Sequence, residues 1–195
     1  MFYCAYELVI PRIEELKQEL RDYWPHQEST WQASEYIDHT LIGPETKQFY
    51  QLFDDCFLNK MRILRAPAGT KYGAHIDIDA NELDHFDGEI PCCMTRHATI
   101  NILLGETDPA ITQWYVDLKA RKYDWRTHRN SMHTESFKVI DEYSIGQSPI
   151  LFNTGQWHSV SYTKERWMAG FHFHPFVTWE GAIECCREKG LLVAR

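Results

Sequence analysis

Residues 153–175 read NTGQWHSVSYTKERWMAGFHFHP. Asn153, Thr154 and Gly155 make a turn, and His158 then opens a short strand, HSVSY. A second turn at Thr163, Lys164 and Glu165 leads to Arg166, which opens the run RWMAGFHF. Residues two apart on a strand project to one face. Arg166, Met168, Gly170, His172 and His174 therefore share one side of this run, and Trp167, Ala169, Phe171 and Phe173 share the other. His174 precedes Pro175 and marks the end of the strand. The same texture extends back to about residue 61, in MRILRA, AHIDID, RHATINILL, ITQWYVDL, SFKVI and SPILFN, with Gly69, Gly73, Gly105, Pro109, Gly146 and Gly155 between runs. Eight short strands separated by turn residues predict a mainly β chain, an antiparallel sandwich or barrel of the jelly-roll kind.

Helical spacing appears only at the flanks. Over 12–24, Ile13, Leu16, Leu20, Tyr23 and Trp24 fall on one helical face between Pro11 and Pro25. Over 45–57, Phe49, Leu52, Phe53, Cys56 and Phe57 do the same after Gly43-Pro44. A short helix over 178–189 closes the chain, with Gly190 as its stop. The expected organisation is one domain over 1–195: a helical support in 1–60, the β core in 61–176 and a C-terminal helix in 177–195. The polar, locally basic stretch 119–135, with Arg121, Lys122, Arg126 and Arg129, reads as a long loop between strands.

Composition narrows the function classes. With 44% hydrophobic and 25% charged residues the chain can bury a sizeable core, and 14% aromatics with seven Trp favour a wide, sheet-rich one. A net charge of -8 argues against nucleic-acid partners, which require basic surface. No apolar run is long enough to span a bilayer, and the N-terminus lacks a signal-peptide pattern, so no membrane partner is expected. Six cysteines are present, four of them in the adjacent pairs Cys92-Cys93 and Cys185-Cys186. Neighbouring cysteines bridge each other poorly and no C-x-x-C occurs, so all six read as reduced thiols in a cytoplasmic protein.

The segment Gly73-Ala74-His75-Ile76-Asp77-Ile78-Asp79 carries the chemistry. On a strand His75 and Asp77 point together, while Ile76 and Ile78 turn away. An imidazole and a carboxylate from one strand, joined by a second imidazole, make a facial triad that leaves three metal positions open. Asp79 shares that face and rivals Asp77, but the closer spacing favours Asp77. The third ligand belongs on a late strand that returns beside the first, and His158 is placed there. Arg166 lies one hairpin away, and a guanidinium binds a carboxylate through two parallel hydrogen bonds.

The order His-x-Asp, then His about eighty residues later, then Arg eight further on resembles the Fe(II)/2-oxoglutarate-dependent dioxygenases. By eye, NTGQWHSVSYTKERWMAGFHFHP and LRAPAGTKYGAHID are most similar to the aspartyl/asparaginyl β-hydroxylase-like group of that superfamily. The resemblance covers roughly residues 60–176 and implies a double-stranded β-helix, a jelly-roll (cupin-like) variant. It implies Fe(II) on His75, Asp77 and His158. It also implies 2-oxoglutarate chelating that iron with its far carboxylate on Arg166, Arg96 as a further cosubstrate contact, and His172 near cosubstrate or substrate. O2 is the oxidant and ascorbate a reductant. The implied reaction is hydroxylation of an amino-acid, peptidyl or other small organic substrate, with release of succinate and CO2. The carboxylate at Asp77 leaves no extra vacancy for halide, which prefers hydroxylation or a related oxidation to halogenation.

Other readings compete. His172 and His174 form an H-x-H of their own, as in a cupin metal site, although the glutamate and glycine-rich flanks of that pattern are missing. A non-catalytic jelly-roll module, or a zinc-dependent hydrolase or isomerase on the same scaffold, would keep the barrel without consuming 2-oxoglutarate. Arg166 could instead pair with Glu165 or Asp141 at the surface, a contact worth little. Arg121, Lys122, Arg126 and Arg129 read more readily as a solvated face than as a substrate contact.

Overall fold

The computed structural model describes residues 3–23, 33–53, 56–77, 96–105, 110–117 and 137–193. Ten strands occur among them: β1 (Ala5–Glu7), β2 (Ala33–Asp38), β3 (Phe57–Ala66), β4 (Lys71–His75), β5 (Ala98–Leu103), β6 (Ala110–Asp117), β7 (Phe137–Ile145), β8 (Ile150–Asn153), β9 (Trp157–Ser161) and β10 (Arg166–Phe173). They form two antiparallel sheets, one in the order β1-β8-β5-β10-β3-β2 and one in the order β4-β9-β6-β7. From β3 onward the chain passes back and forth between the two sheets, so early and late strands lie side by side: β3 against β10 and β4 against β9. This is a double-stranded β-helix of the jelly-roll class.

Each of the eight runs expected from period-two patterning overlaps a strand, but AHIDID does so only at Ala74 and His75, since β4 ends at His75. The alternation in β10 sorts its side chains between two environments. Ala169, Phe171 and Phe173 join Met61, Ile63, Ile100, Ile102 and Leu151 in an apolar layer on the outer face of the large sheet, where the helices cover it. Their neighbours Met168, Leu64, Leu103 and Phe152 face inward, against Trp114 and Val160 of the small sheet. β10 is central in its sheet and covered on both faces, so nearly every one of its residues is buried.

The helices are α1 (Ile13–Tyr23), α2 (Pro44–Phe53) and α3 (Trp179–Glu188). α1 carries Glu14 and Glu15 in its first turn and Arg21 in its last, matching the helix dipole, and buries Leu16 and Leu20. α2 starts with Pro44, suited to a first helical position. Its free amides at Glu45 and Thr46 donate to the Glu19 carboxylate of α1 at 3.0 and 2.7 Å, which ties the two helices together. Thr178 caps α3 by accepting from the Gly181 amide at 3.1 Å, and Gly190, at φ +67°, supplies the left-handed stop.

Two features depart from the sequence reading. Residues 1–60 hold strands as well as helices, since β1 and β2 extend the large sheet at its two edges. The second helix stops at Phe53, and Phe57 begins β3. Phe49, Phe53 and Phe57 repeat every fourth residue and so mimic a helical face. Phe57 takes its place in that aromatic cluster from the sheet, with its ring 4.3 Å from Phe53 and 4.7 Å from Phe173. The stretch 119–135 and its basic residues, Asp79, and Cys92-Cys93 lie outside the described residues. Cys4, Cys56, Cys185 and Cys186 are free thiols.

Candidate metal centre

His75 ends β4, and its Cα partner across the antiparallel pair is His158 of β9. The rings are held 4.3 Å apart, centroid to centroid. Asp77 lies two residues beyond the end of β4, so strand alternation is not what aims it. The backbone does so: its amide donates to the Thr154 carbonyl at 3.0 Å and its carbonyl accepts from the Arg96 amide at 3.2 Å. The Thr154 hydroxyl in turn donates to the Arg96 carbonyl at 2.8 Å, and the buried Trp114 indole donates to the Asn153 carbonyl at 2.8 Å. Gly155 allows this crossing, because a Cβ there would lie 2.7 Å from His97 Nδ1 and 3.1 Å from its Cα.

One ligand atom from each of His75, Asp77 and His158 lies within 4.8 Å of the others, a spacing that one ion can bridge. Asp77 Oδ1 is 3.5 Å from His75 Nε2 and 4.0 Å from His158 Nε2. Each imidazole has its Nδ1 against a backbone carbonyl, Gly73 at 2.7 Å for His75 and Gln156 at 2.9 Å for His158. A carbonyl can only accept, so Nδ1 carries the proton and Nε2 presents its lone pair to the shared space. The other Asp77 oxygen, Oδ2, accepts from the Arg96 guanidinium at 2.9 Å. Among the described residues no other group of three or more such side chains comes together.

Electrostatics favour the ligating forms. Burial opposes ionisation of Asp77, but the Arg96 charge, with smaller help from the two histidines, holds its carboxyl well below the usual range. Burial first, and then His75, push His158 down to about 3, so it is neutral near pH 7, the state that binds metal. His158 is only 3% exposed, while His75 and Asp77 are each 23% exposed, so access to the three ligands is from the side of that pair.

The ligands line part of a cavity between the two sheets. Arg166 lines it from the start of β10 and is buried. Glu165 does not pair with it, being engaged by Arg65 at 2.9 and 3.0 Å, and Asp141 accepts from the Cys4 amide at 2.7 Å. The Arg166 Cζ sits 5.8 Å from the Tyr162 ring centre. Its Nε and the nearby hydroxyls of Tyr72 and Tyr162 are buried without hydrogen-bond partners. Burial lowers the Arg166 guanidinium to about 10, still a cation at neutral pH. A carboxylate would satisfy these orphaned donors, so the far end of 2-oxoglutarate fits here.

The remaining expectations sort differently. His172 lines the cavity, but His174 does not. It lies past the end of β10 with its ring stacked on Phe176, so the H-x-H pair does not assemble a site. Arg96, expected to touch cosubstrate, is instead engaged by Asp77 and does not line the cavity. Tyr72, Thr99, Asn101 and Arg62 were not singled out from sequence, yet all four line it. For three of them the signal was present: Arg62 alternates with Leu64 in MRILRA, and Thr99 with Asn101 in ATINIL.

No family model matches the sequence, and no curated protein matches it. Solved structures do match. SnoN, described as a non-heme alpha-ketoglutarate-dependent epimerase from nogalamycin biosynthesis, superposes with a TM-score of 0.53 at 14% identity, over 87% of this chain and 77% of its own. HygX from Streptomyces hygroscopicus, with nickel and 2-oxoglutarate bound, superposes with a TM-score of 0.51 at 13% identity, over 89% of this chain and 83% of its own. The fold is that of the 2-oxoglutarate oxygenases. At these identities the likeness is one of fold, and it does not single out the aspartyl/asparaginyl β-hydroxylase-like group.

Proposed function

We propose that this chain is an Fe(II)- and 2-oxoglutarate-dependent oxygenase that hydroxylates a small organic, amino-acid or peptidyl substrate. One observation carries the reading. One cavity is lined both by the three residues with convergent ligand atoms and by a buried guanidinium whose Nε has no partner. When bound, Fe(II) with 2-oxoglutarate and O2 supplies the oxidising chemistry and releases succinate and CO2.

The chain's own contribution is positioning and shielding. His75 and His158 present Nε2 because backbone carbonyls hold their Nδ1 protons. Arg96 holds Asp77 by Oδ2 and leaves Oδ1 to the metal. Arg166, with the Tyr72 hydroxyl beside it, would pair with the far carboxylate of 2-oxoglutarate and so orient its 2-oxo acid end towards the three ligands. Leu64, Phe152, Val160 and Met168 line the cavity with apolar surface and keep bulk water from the reacting region. Asp77 fills the third protein position, which favours hydroxylation over halide transfer. Epimerisation, the activity in SnoN's description, is the related outcome that product analysis would separate from hydroxylation.

The test is incubation of purified protein with Fe(II), ascorbate and labelled 2-oxoglutarate. The expected outcome is slow, iron-dependent release of labelled CO2 and succinate without added substrate. Zinc-dependent hydrolysis, or ligand binding with no consumption of 2-oxoglutarate, would transfer the protein to the zinc-dependent or non-catalytic alternatives.

A further inference from the structure

Outside the cavity, two cysteines meet from distant parts of the chain. Cys185 Sγ lies 4.0 Å from Cys56 Sγ, although 129 positions separate them in sequence. A disulfide bond is about 2.05 Å long, so roughly 2 Å of travel separates this contact from a covalent one. Both backbones are held. The Cys56 carbonyl accepts from the His174 amide at 2.9 Å, which ties the entry to β3 to the exit of β10. A turn closed by the Val177 amide on the His174 carbonyl, also at 2.9 Å, then leads to Thr178, the cap of α3. Trp179, Ala182 and Cys186 seat α3 in the apolar layer over the large sheet. Cys185 stands one position, about 100°, round the helix from Cys186, so its side chain leaves that layer and meets Cys56 at its border.

The four described thiols divide into two kinds. Cys4 and Cys186 are fully buried, and burial pushes each up to about 12, which leaves them inert. Cys56 and Cys185 are half-buried, so a small oxidant reaches them. Burial, and then the Cys56 thiol, raise Cys185 to about 11 and keep it protonated near pH 7. Cys185 therefore suits the resolving role and leaves the first attack to Cys56. Neither residue lines the cavity.

We infer that Cys56 and Cys185 are an oxidation site, forming a reversible intrachain disulfide when hydrogen peroxide is present. The Cys56 sulfur gives two electrons to peroxide, becoming a sulfenic acid and releasing one water. The Cys185 sulfur then attacks that sulfur and loses its proton, and the hydroxyl leaves as a second water. Two thiols and one peroxide thus give one disulfide and two waters. The bond closes a loop from 56 to 185 that contains β3 to β10 and with them His75, Asp77, His158 and Arg166. It staples the β-helix by restricting the unfolded chain, and does so from outside the cavity. The inference stands independently of the oxygenase reading.

The test exposes the folded full chain to hydrogen peroxide, with a chelator present to keep iron from the peroxide. Remaining thiols are blocked with N-ethylmaleimide, and the digested chain is read by mass spectrometry. The expected product is a monomer with Cys56 joined to Cys185, reversed by dithiothreitol. Fragment ions of the wild-type crosslinked peptide place the bond at Cys185 or at Cys186 without any variant. Cys56→Ser and Cys185→Ser should each lose the crosslink, and Cys186→Ala should keep it. Oxidation should raise the thermal midpoint of wild type by roughly 5 °C or more, and leave that of Cys56→Ser unchanged. The inference is overturned by peroxide that leaves both thiols free or carries them to sulfinic acid. It is equally overturned by a bond to Cys186 or by pairing only between chains. A Cys56–Cys185 bond with no rise in the midpoint overturns the staple.

Discussion

The two anchoring regions of the cavity are built on opposite electrostatic terms. At the metal centre the groups that touch the ligands are engaged, with Nδ1 protons on carbonyls, Asp77 Oδ2 on Arg96 and the Thr154 hydroxyl on a backbone carbonyl, although the Arg96 Nε is itself buried without a partner. At Arg166 a buried cation and two tyrosine hydroxyls leave donors unmet. A satisfied shell holds its geometry before any ligand arrives, which suits a metal that needs fixed donors. An unsatisfied shell costs stability in the empty protein and recovers it on binding, which suits an exchangeable anion.

Exchanging residues between the two regions is the sharpest way to break this contrast. His158→Ala should lower Zn(II) or Co(II) affinity by about 100-fold or more, because one of three ligands is gone, with the fold retained by circular dichroism. Arg166→Ala should leave metal affinity near wild type and weaken 2-oxoglutarate by roughly 30- to 100-fold. Calorimetric titration of each ligand against each variant checks the crossover, and metal affinity collapsing in Arg166→Ala would erase the distinction between the two regions.

Stability of the metal-free protein gives a smaller effect of opposite sign at the two arginines. Arg96→Met strands the Asp77 carboxylate and should destabilise by about 2–3 kcal/mol. Arg166→Met removes an unpaired buried cation and should be neutral or stabilising by up to about 2 kcal/mol. Urea unfolding of both variants measures the difference, and equal losses would mean that Arg166 has a partner after all.

The effect of pH is spread over several units. Burial depresses His158 to about 3 and His172 well below its ordinary value of 6.5. Below about pH 6.5 the unfolded chain therefore takes up protons that the folded chain refuses. Stability of the metal-free protein should fall as pH drops from 6.5 towards 3, by up to about 1.4 kcal/mol per pH unit for each imidazole, and stay level above 7. His172→Phe should flatten part of that slope.

Much of this was readable before any coordinates. The core strands announce themselves because an element covered on one or both faces must alternate or run apolar, as β10 and β5 do. The short edge strands β1 and β2 carry no such mark: Ala5–Glu7 spans three residues, and a neighbour's unpaired backbone holds it. Phe57 misled because spacing of four is shared by a helical face and by an aromatic cluster reached from two elements. His75 and His158 were found as residue types in order. Asp77 was found for a reason that does not hold, since it stands beyond β4 and backbone bonds to Thr154 and Arg96 aim it.

Local pattern determined which residues alternate, where turns fall, and which metal-ligand and cationic side chains the chain has to offer. Those properties depend on neighbours two to four positions away, so they survive in a linear string. Only the tertiary structure decided that positions 75 and 158 are cross-strand partners, that Arg96 serves the Asp77 carboxylate while Arg166 stays open, and that His172, Asn101 and Thr99 meet over Gly170. Each of these is a contact between segments far apart in the chain, set by sheet register and burial, and no short-range periodicity encodes register between distant strands.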